Sequence, residues 1–191
     1  TRELLQATMS LGAFVALTNV DVALARVFLD DHDSGGYALA ATFGRAIGWG
    51  TQFVALLLVP RMQRPAAGAA LRRSLALVAA LGLAGVGVIA AAPTFWIRVA
   101  GGAEYTEFGP LAVACVALGV LWALVQACLF AEMGTNSAWL GRLTGTVLAA
   151  QSAAIALWFH DSPGQIVAVC ATSAAVIVAA ALVRSRSWSR A

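Results

Sequence analysis

Residues 4–28 read LLQATMSLGAFVALTNVDVALARVF, and residues 37–59 read YALAATFGRAIGWGTQFVALLLV. Between them lies an acidic turn of Asp30, Asp31, His32, Asp33, Ser34, Gly35 and Gly36. Each run exceeds the roughly 20 apolar residues that cross a hydrocarbon core as a helix. The pattern then recurs at 75–97, 111–131, 138–159 and 166–183, which makes six runs. A buried helix of a soluble domain explains one such run, but not six.

Composition points the same way. The chain is 61% hydrophobic and only 11% charged, against about 25% charged in a soluble domain. Six spans with short loops consume the 191 residues and leave no room for a soluble domain. The expected fold class is therefore an all-α integral membrane protein with six transmembrane helices. Residue 1 is threonine, and no signal-peptide pattern precedes the first run,. This reads as a chain whose earlier part is absent.

The connections sort by charge. One side holds Arg2, Arg61, Arg64, Arg72, Arg73, Arg142, Arg184, Arg186 and Arg190, nine of the twelve basic residues. The other holds Asp30, Asp31, Asp33, Glu104, Glu107 and Asp161, with only Arg98 as a cation. The positive-inside rule places the arginine-rich side, and both termini, in the cytoplasm of a cell membrane. Orientation also accounts for the pI of 9.1, so nucleic acid is not an expected partner. Trp96, Trp139, Trp158 and Trp188 lie near span ends, where an aromatic belt would place them,.

Ionisable groups inside the spans are the candidates for function, because each costs about 2.5–3.5 kcal/mol at the bilayer centre on insertion scales. The first span carries Asn19, Asp21 and Arg26; the second carries Arg45 and Gln52. Asp21 and Arg45 lie at comparable distances on either side of the acidic turn. In an antiparallel pair they would share a depth and could form an ion pair. Two readings stand side by side. Either the pair lines a water-filled cavity that meets a charged or sugar-bearing substrate, or it is a structural tie between the two spans. Asn19 and Gln52 lean toward interhelical hydrogen bonding, and Arg26 toward snorkelling to the interface. Gln126 and Gln151, deep in the fourth and fifth spans, are weaker cavity candidates. Arg45, Gly48 and Gln52 form one polar, small-residue stripe.

Other residues exclude chemistry. Cys115, Cys128 and Cys170 fall inside apolar runs without metal-ligand spacing, and read as small buried hydrophobes,. His32 and His160 sit in separate short loops and read as solvated. No HExxH, GxSxG, P-loop or dinucleotide fingerprint is present,, and no enzyme activity, metal or cofactor is expected. Gly44 with Gly48, and Gly141 with Gly145, fit GxxxG, a pattern that bears on packing only,.

The order of features has a counterpart. Asn19, Val20 and Asp21 late in a first span are followed by Val27, Phe28 and Leu29 and a polar turn. Then come Gly36 to Ala41, Gly44 with Arg45, and Val59, Pro60 and Arg61. Gly101 to Tyr105 precede Gly109, Pro110 and Leu111. This resembles the C-terminal lobe of polysaccharide flippases in the multidrug/oligosaccharidyl-lipid/polysaccharide exporter superfamily. The resemblance implies helices seven to twelve of a two-lobe, MATE-like flippase whose N-terminal lobe is absent here. It implies alternating-access translocation of a lipid-linked sugar, with Arg45 meeting a pyrophosphate or acidic sugar and Asp21 a proton or sodium ion. It also implies poor stability without the partner lobe. A cation-coupled multidrug antiporter of the same superfamily is the alternative, and a non-transporting membrane scaffold is the alternative of another class.

Overall fold

The computed structural model describes the backbone of residues 2–58, 67–133 and 137–188; the side chains of 2–4, 51–58, 67–70, 133 and 185–188 fall outside the description. Every element among the described residues is helical. In chain order they are α1 (Arg2–Leu17), α2 (Val20–Phe28), α3 (Asp31–Leu58), α4 (Ala67–Ala91), α5 (Pro93–Gly101), a 3-10 turn (Ala103–Phe108), α6 (Gly109–Met133), α7 (Trp139–Leu157) and α8 (Pro163–Trp188).

Among the described residues, five segments are long and apolar enough to cross a membrane: Leu5–Phe28, Leu71–Ala91, Ala103–Glu132, Trp139–Leu157 and Pro163–Arg184. They mark the chain as a membrane protein. The expected second span, now within α3, is not among them. Its 28 residues give about 42 Å of helix, ample for a core of about 30 Å. The side chains of 51–58, the most apolar part of that run, lie outside the described residues.

Two expected spans are broken. The first stops at Leu17 and restarts at Val20. The third, read as 75–97, ends at Ala91, and Pro93 opens the separate α5. Proline has no N–H to give and fits only the first turn of a helix. The connection expected over Arg61–Ser74 is shorter, since α4 already begins at Ala67. Arg61 and Arg64, and most of the turn read at Gly134–Ser137, lie outside the described residues.

The central helix is α6, which is apolar on all sides as a buried helix must be. Of its apolar window 61% is buried, against 22–33% in the other four segments. It packs on α3, α4 and α8 most extensively, while α7 lies against α1 and α8. The remaining faces are apolar and exposed, among them Met9, Val15, Leu83, Val88 and Val176. Such continuous apolar cover suits lipid, not water.

Small residues let α3 and α6 touch backbone to backbone. A Cβ at Gly44 would strike the Cys115 carbonyl oxygen, and one at Gly119 the Gly44 carbonyl oxygen. The GxxxG pattern at Gly44 therefore does pack a helix pair, through its first glycine, while Gly48 has only a loose approach to Gly119. Gly141 faces Ser10 of α1, whereas Gly145 meets nothing.

At the acidic end, the residues expected as a turn over 30–36 form the start of α3 from Asp31 onward, and that start is clasped to the 3-10 turn. His32 Nε2 lies 2.6 Å from Glu107 Oε1. Its ring stacks on Tyr105, 5.2 Å between centroids and 11° between planes. Gly102, at φ 95°, sets the 3-10 turn after α5 in a conformation only glycine takes without strain.

Two outcomes are expected. Gly119→Val should weaken the fold by several kcal/mol, because backbone must move to admit it; thermal unfolding in detergent reads this directly. The hydrogen bond to Glu107, helped by the charges of Asp30 and Asp33, raises the His32 pKa above its ordinary 6.5. A raised folded value means that the clasp contributes fully below pH 6.5 and is lost as pH rises through that higher value. In an NMR titration of the His32 ring, Glu107→Gln should bring the midpoint back down.

Candidate functional site

The site begins with the break in the first span. Where a helix stops inside an apolar layer, its last four carbonyls lose their partners, and each unsatisfied group costs free energy. Here each one is answered. Thr18 donates its N–H (3.0 Å) and its Oγ1 (3.1 Å) to the Phe14 carbonyl. Asn19 donates Nδ2 to Val15 O at 2.7 Å and its N–H to Ala16 O at 3.1 Å. The Leu17 carbonyl accepts from Gln151 Nε2 of α7 at 3.2 Å. The Thr18 carbonyl accepts from Arg45 Nη2 of α3 at 3.3 Å. Two local side chains and two from distant helices thus hold the break open.

Beyond the break, Asp21 occupies the first turn of α2, where the helix dipole favours an anion. It is 5% exposed. Tyr37 donates its hydroxyl to Asp21 Oδ2 at 2.7 Å. Arg45 Nη2 lies 3.5 Å from Asp21 Oδ1, looser than the roughly 2.7–2.9 Å of a charge-assisted hydrogen bond. Oδ1 makes no hydrogen bond within the described residues. Tyr37 and Arg45 stand about 12 Å apart along α3, and their long side chains converge on one carboxylate.

These groups open onto a cavity of about 80 Å³ between α1, α2, α3 and α6. One water needs about 10–15 Å³ by this measure, so several fit. Asp21, Arg45, Thr18 and Gln126 supply its polar wall; Phe14, Trp49 and Trp122 supply much of the apolar one. The Gln126 amide bonds nothing among the described residues and is free to meet an occupant.

The expected site residues therefore divide. Asp21 and Arg45 form the expected pair, and Gln126 joins them at the cavity. Gln151 is 1% exposed and supports the break instead of lining the cavity. Asn19 is exposed in the break itself and bonds the Val15 carbonyl of α1 instead of facing the cavity. Arg26 reaches away toward the acidic end, 2.8 Å from Asp31 and 2.9 Å from Ser34. Gln52 lies on α3, but its side chain is outside the described residues. Tyr37 is a site residue that sequence reasoning missed. A lone tyrosine at a span boundary reads as an interface anchor, and only the fold turns it inward. Cys115 also lines the cavity, through its contact with α3. Among the described residues no group of histidines, cysteines or acids could hold a metal ion. Compared with known proteins, the chain matches no family model, no curated protein and no solved structure.

Removing the Gln151 amide strands a buried carbonyl, a loss of about 1–3 kcal/mol. Gln151→Leu should therefore lower the unfolding midpoint in detergent clearly. Gln126→Leu, which breaks no bond among the described residues, should shift it by less than about 1 kcal/mol.

Proposed function

We propose that this chain is one lobe of a membrane transporter that moves a lipid-linked oligosaccharide or polysaccharide precursor by alternating access. The observation that carries the reading is the interrupted first span, whose break opens beside a polar, water-sized cavity. Discontinuous helices near the bilayer midplane are the usual place for transporter substrate sites. A scaffold has no use for an irregular backbone that needs Arg45 and Gln151 to satisfy it.

In this reading α3 is the sixth span, with one face meeting water in the cavity. Arg45 offers a guanidinium to a pyrophosphate or acidic sugar. Its loose hold on Asp21 leaves donors to give. A pseudo-symmetric N-terminal lobe closes the other side of the cavity, and the exposed Trp49 at its edge faces that partner. The arginine-rich end and both termini face the cytoplasm of a cell membrane, as the charge asymmetry argues. The reading involves no enzyme chemistry and no organic cofactor; a proton or sodium ion at Asp21 couples the transport.

One observation favours a second reading, a cation-coupled multidrug antiporter of the same superfamily. The unbonded Asp21 Oδ1 at the cavity wall suits a lipophilic cation as well as a coupling ion.

The test is complementation. The full-length parent, expressed in a strain lacking its polysaccharide flippase, should restore surface glycan. Arg45→Gln should reduce that activity about 10- to 100-fold, the worth of a charge-assisted bond, at equal folded protein in the membrane. Efflux of cationic dyes without glycan restoration would move the protein to the antiporter reading. Full activity in both Arg45→Gln and Asp21→Asn would remove the cavity from the mechanism.

A further inference from the structure

Arg45 is held by long contacts. Its Nη2 gives 3.3 Å to the Thr18 carbonyl and lies 3.5 Å from Asp21 Oδ1. No other hydrogen bond ties its guanidinium among the described residues. An anion entering the cavity can therefore draw Arg45 toward itself. The consequence falls on Asp21. Its Oδ2 keeps the Tyr37 hydroxyl at 2.7 Å. Its Oδ1 is buried, makes no hydrogen bond among the described residues and has Arg45 as its facing cation. A buried carboxylate whose cation is taken away is strongly destabilised unless a new donor replaces it. Whatever takes Arg45 must return a donor to Oδ1.

That requirement separates the two anions that the transport reading offers to Arg45. The pyrophosphate of a lipid-linked sugar is a diester. Its oxygens only accept, and its charges would sit beside a carboxylate. An acidic sugar carries a carboxylate with a hydroxyl on the adjoining carbon. The carboxylate matches the guanidinium fork, and the hydroxyl can donate to Oδ1. The rest of the wall suits a sugar ring as well. Gln126 brings an amide that both donates and accepts,. Phe14 and Trp122 form a corner of the wall, with 6.2 Å between centroids and 78° between planes. The negative face of an aromatic ring attracts the C–H bonds of a pyranose. The space of about 80 Å³ holds roughly five to eight waters at about 10–15 Å³ each, comparable to one pyranose ring.

We propose that the cavity reads an acidic sugar unit of the cargo and not its pyrophosphate, with the sugar carboxylate on Arg45 and the adjoining hydroxyl on Asp21 Oδ1. The assignment rests on the transport reading, and it names the part of the cargo that this site holds.

Saturation-transfer NMR on the full-length parent in nanodiscs tests it. Methyl β-glucuronide and methyl β-glucoside are the probes, and inorganic pyrophosphate is the competitor. The glucuronide should bind about tenfold more tightly than the glucoside, the margin of a charge-assisted bond over a neutral one. Arg45→Gln should erase that margin. Pyrophosphate should not displace the glucuronide from the unaltered protein. It should do so in Asp21→Asn, which leaves no carboxylate to strand. Equal binding of the two glycosides, a margin that survives Arg45→Gln, or displacement by pyrophosphate with Asp21 intact overturns the proposal. Binding is read here without transport. Restored surface glycan with no glucuronide margin therefore strikes the sugar assignment and leaves the flippase reading, and a margin without restored glycan does the reverse.

Discussion

A polypeptide in an apolar layer must satisfy every backbone polar group from within. The break at Thr18 and Asn19 is the point where this chain meets that demand by tertiary means. Five carbonyls in succession, from Phe14 to Thr18, accept hydrogen bonds from a hydroxyl, an amide side chain, two backbone N–H groups, and the side chains of Gln151 and Arg45. Without the last two, the Leu17 and Thr18 carbonyls would be stranded. The position of α7 and α3 against α1 is therefore tied to the existence of the break, and the cavity is the space that the break leaves.

The same economy governs the charges. Arg45 in the middle of α3 would be expensive alone. It contacts a freed carbonyl, a buried carboxylate and a space large enough for water. Asp21 in turn sits at a helix start, where the dipole helps it, with Tyr37 fixing one oxygen. Asp21 Oδ1 meets only the loose Arg45 pair at 3.5 Å, and the Gln126 amide makes no hydrogen bond among the described residues. Stability alone would favour filling such a site with apolar side chains. Close approach of α3 to α6 through Gly44 and Gly119 brings Arg45 and Gln126 to the same cavity.

The two ends of the bundle are built differently. At the acidic end, ring stacking and the His32–Glu107 contact join the start of α3 to the 3-10 turn far along the sequence. At the other end, Glu132 is drawn inward to cap α7 while arginines remain outside. The charge asymmetry read from the loops thus acquires structure at each end: a clasp at one and a carboxylate-capped helix start at the other.

The sequence by itself determined the all-helical class, the apolar segments and the separation of charge, because length, hydropathy and loop composition are properties of the chain taken piece by piece. It also placed Asp21 opposite Arg45, since antiparallel helices joined by a short turn pair residues at matching depth. Reading 75–97 as one span passed over Pro93, where α5 begins, because the apolar run continues across it. The break at Thr18 and Asn19 carried no such signal: threonine and asparagine are tolerated in a continuous helix, and only Gln151 and Arg45, 134 and 27 residues away from their acceptors, make an interruption affordable. Tertiary structure alone decided that Tyr37 turns inward, that Gln126 meets the cavity while Gln151 props the backbone, and that Arg26 and Asn19 face elsewhere. Each of those outcomes depends on which helix lies alongside, and a hydrogen-bond partner on another helix leaves no periodicity in the sequence.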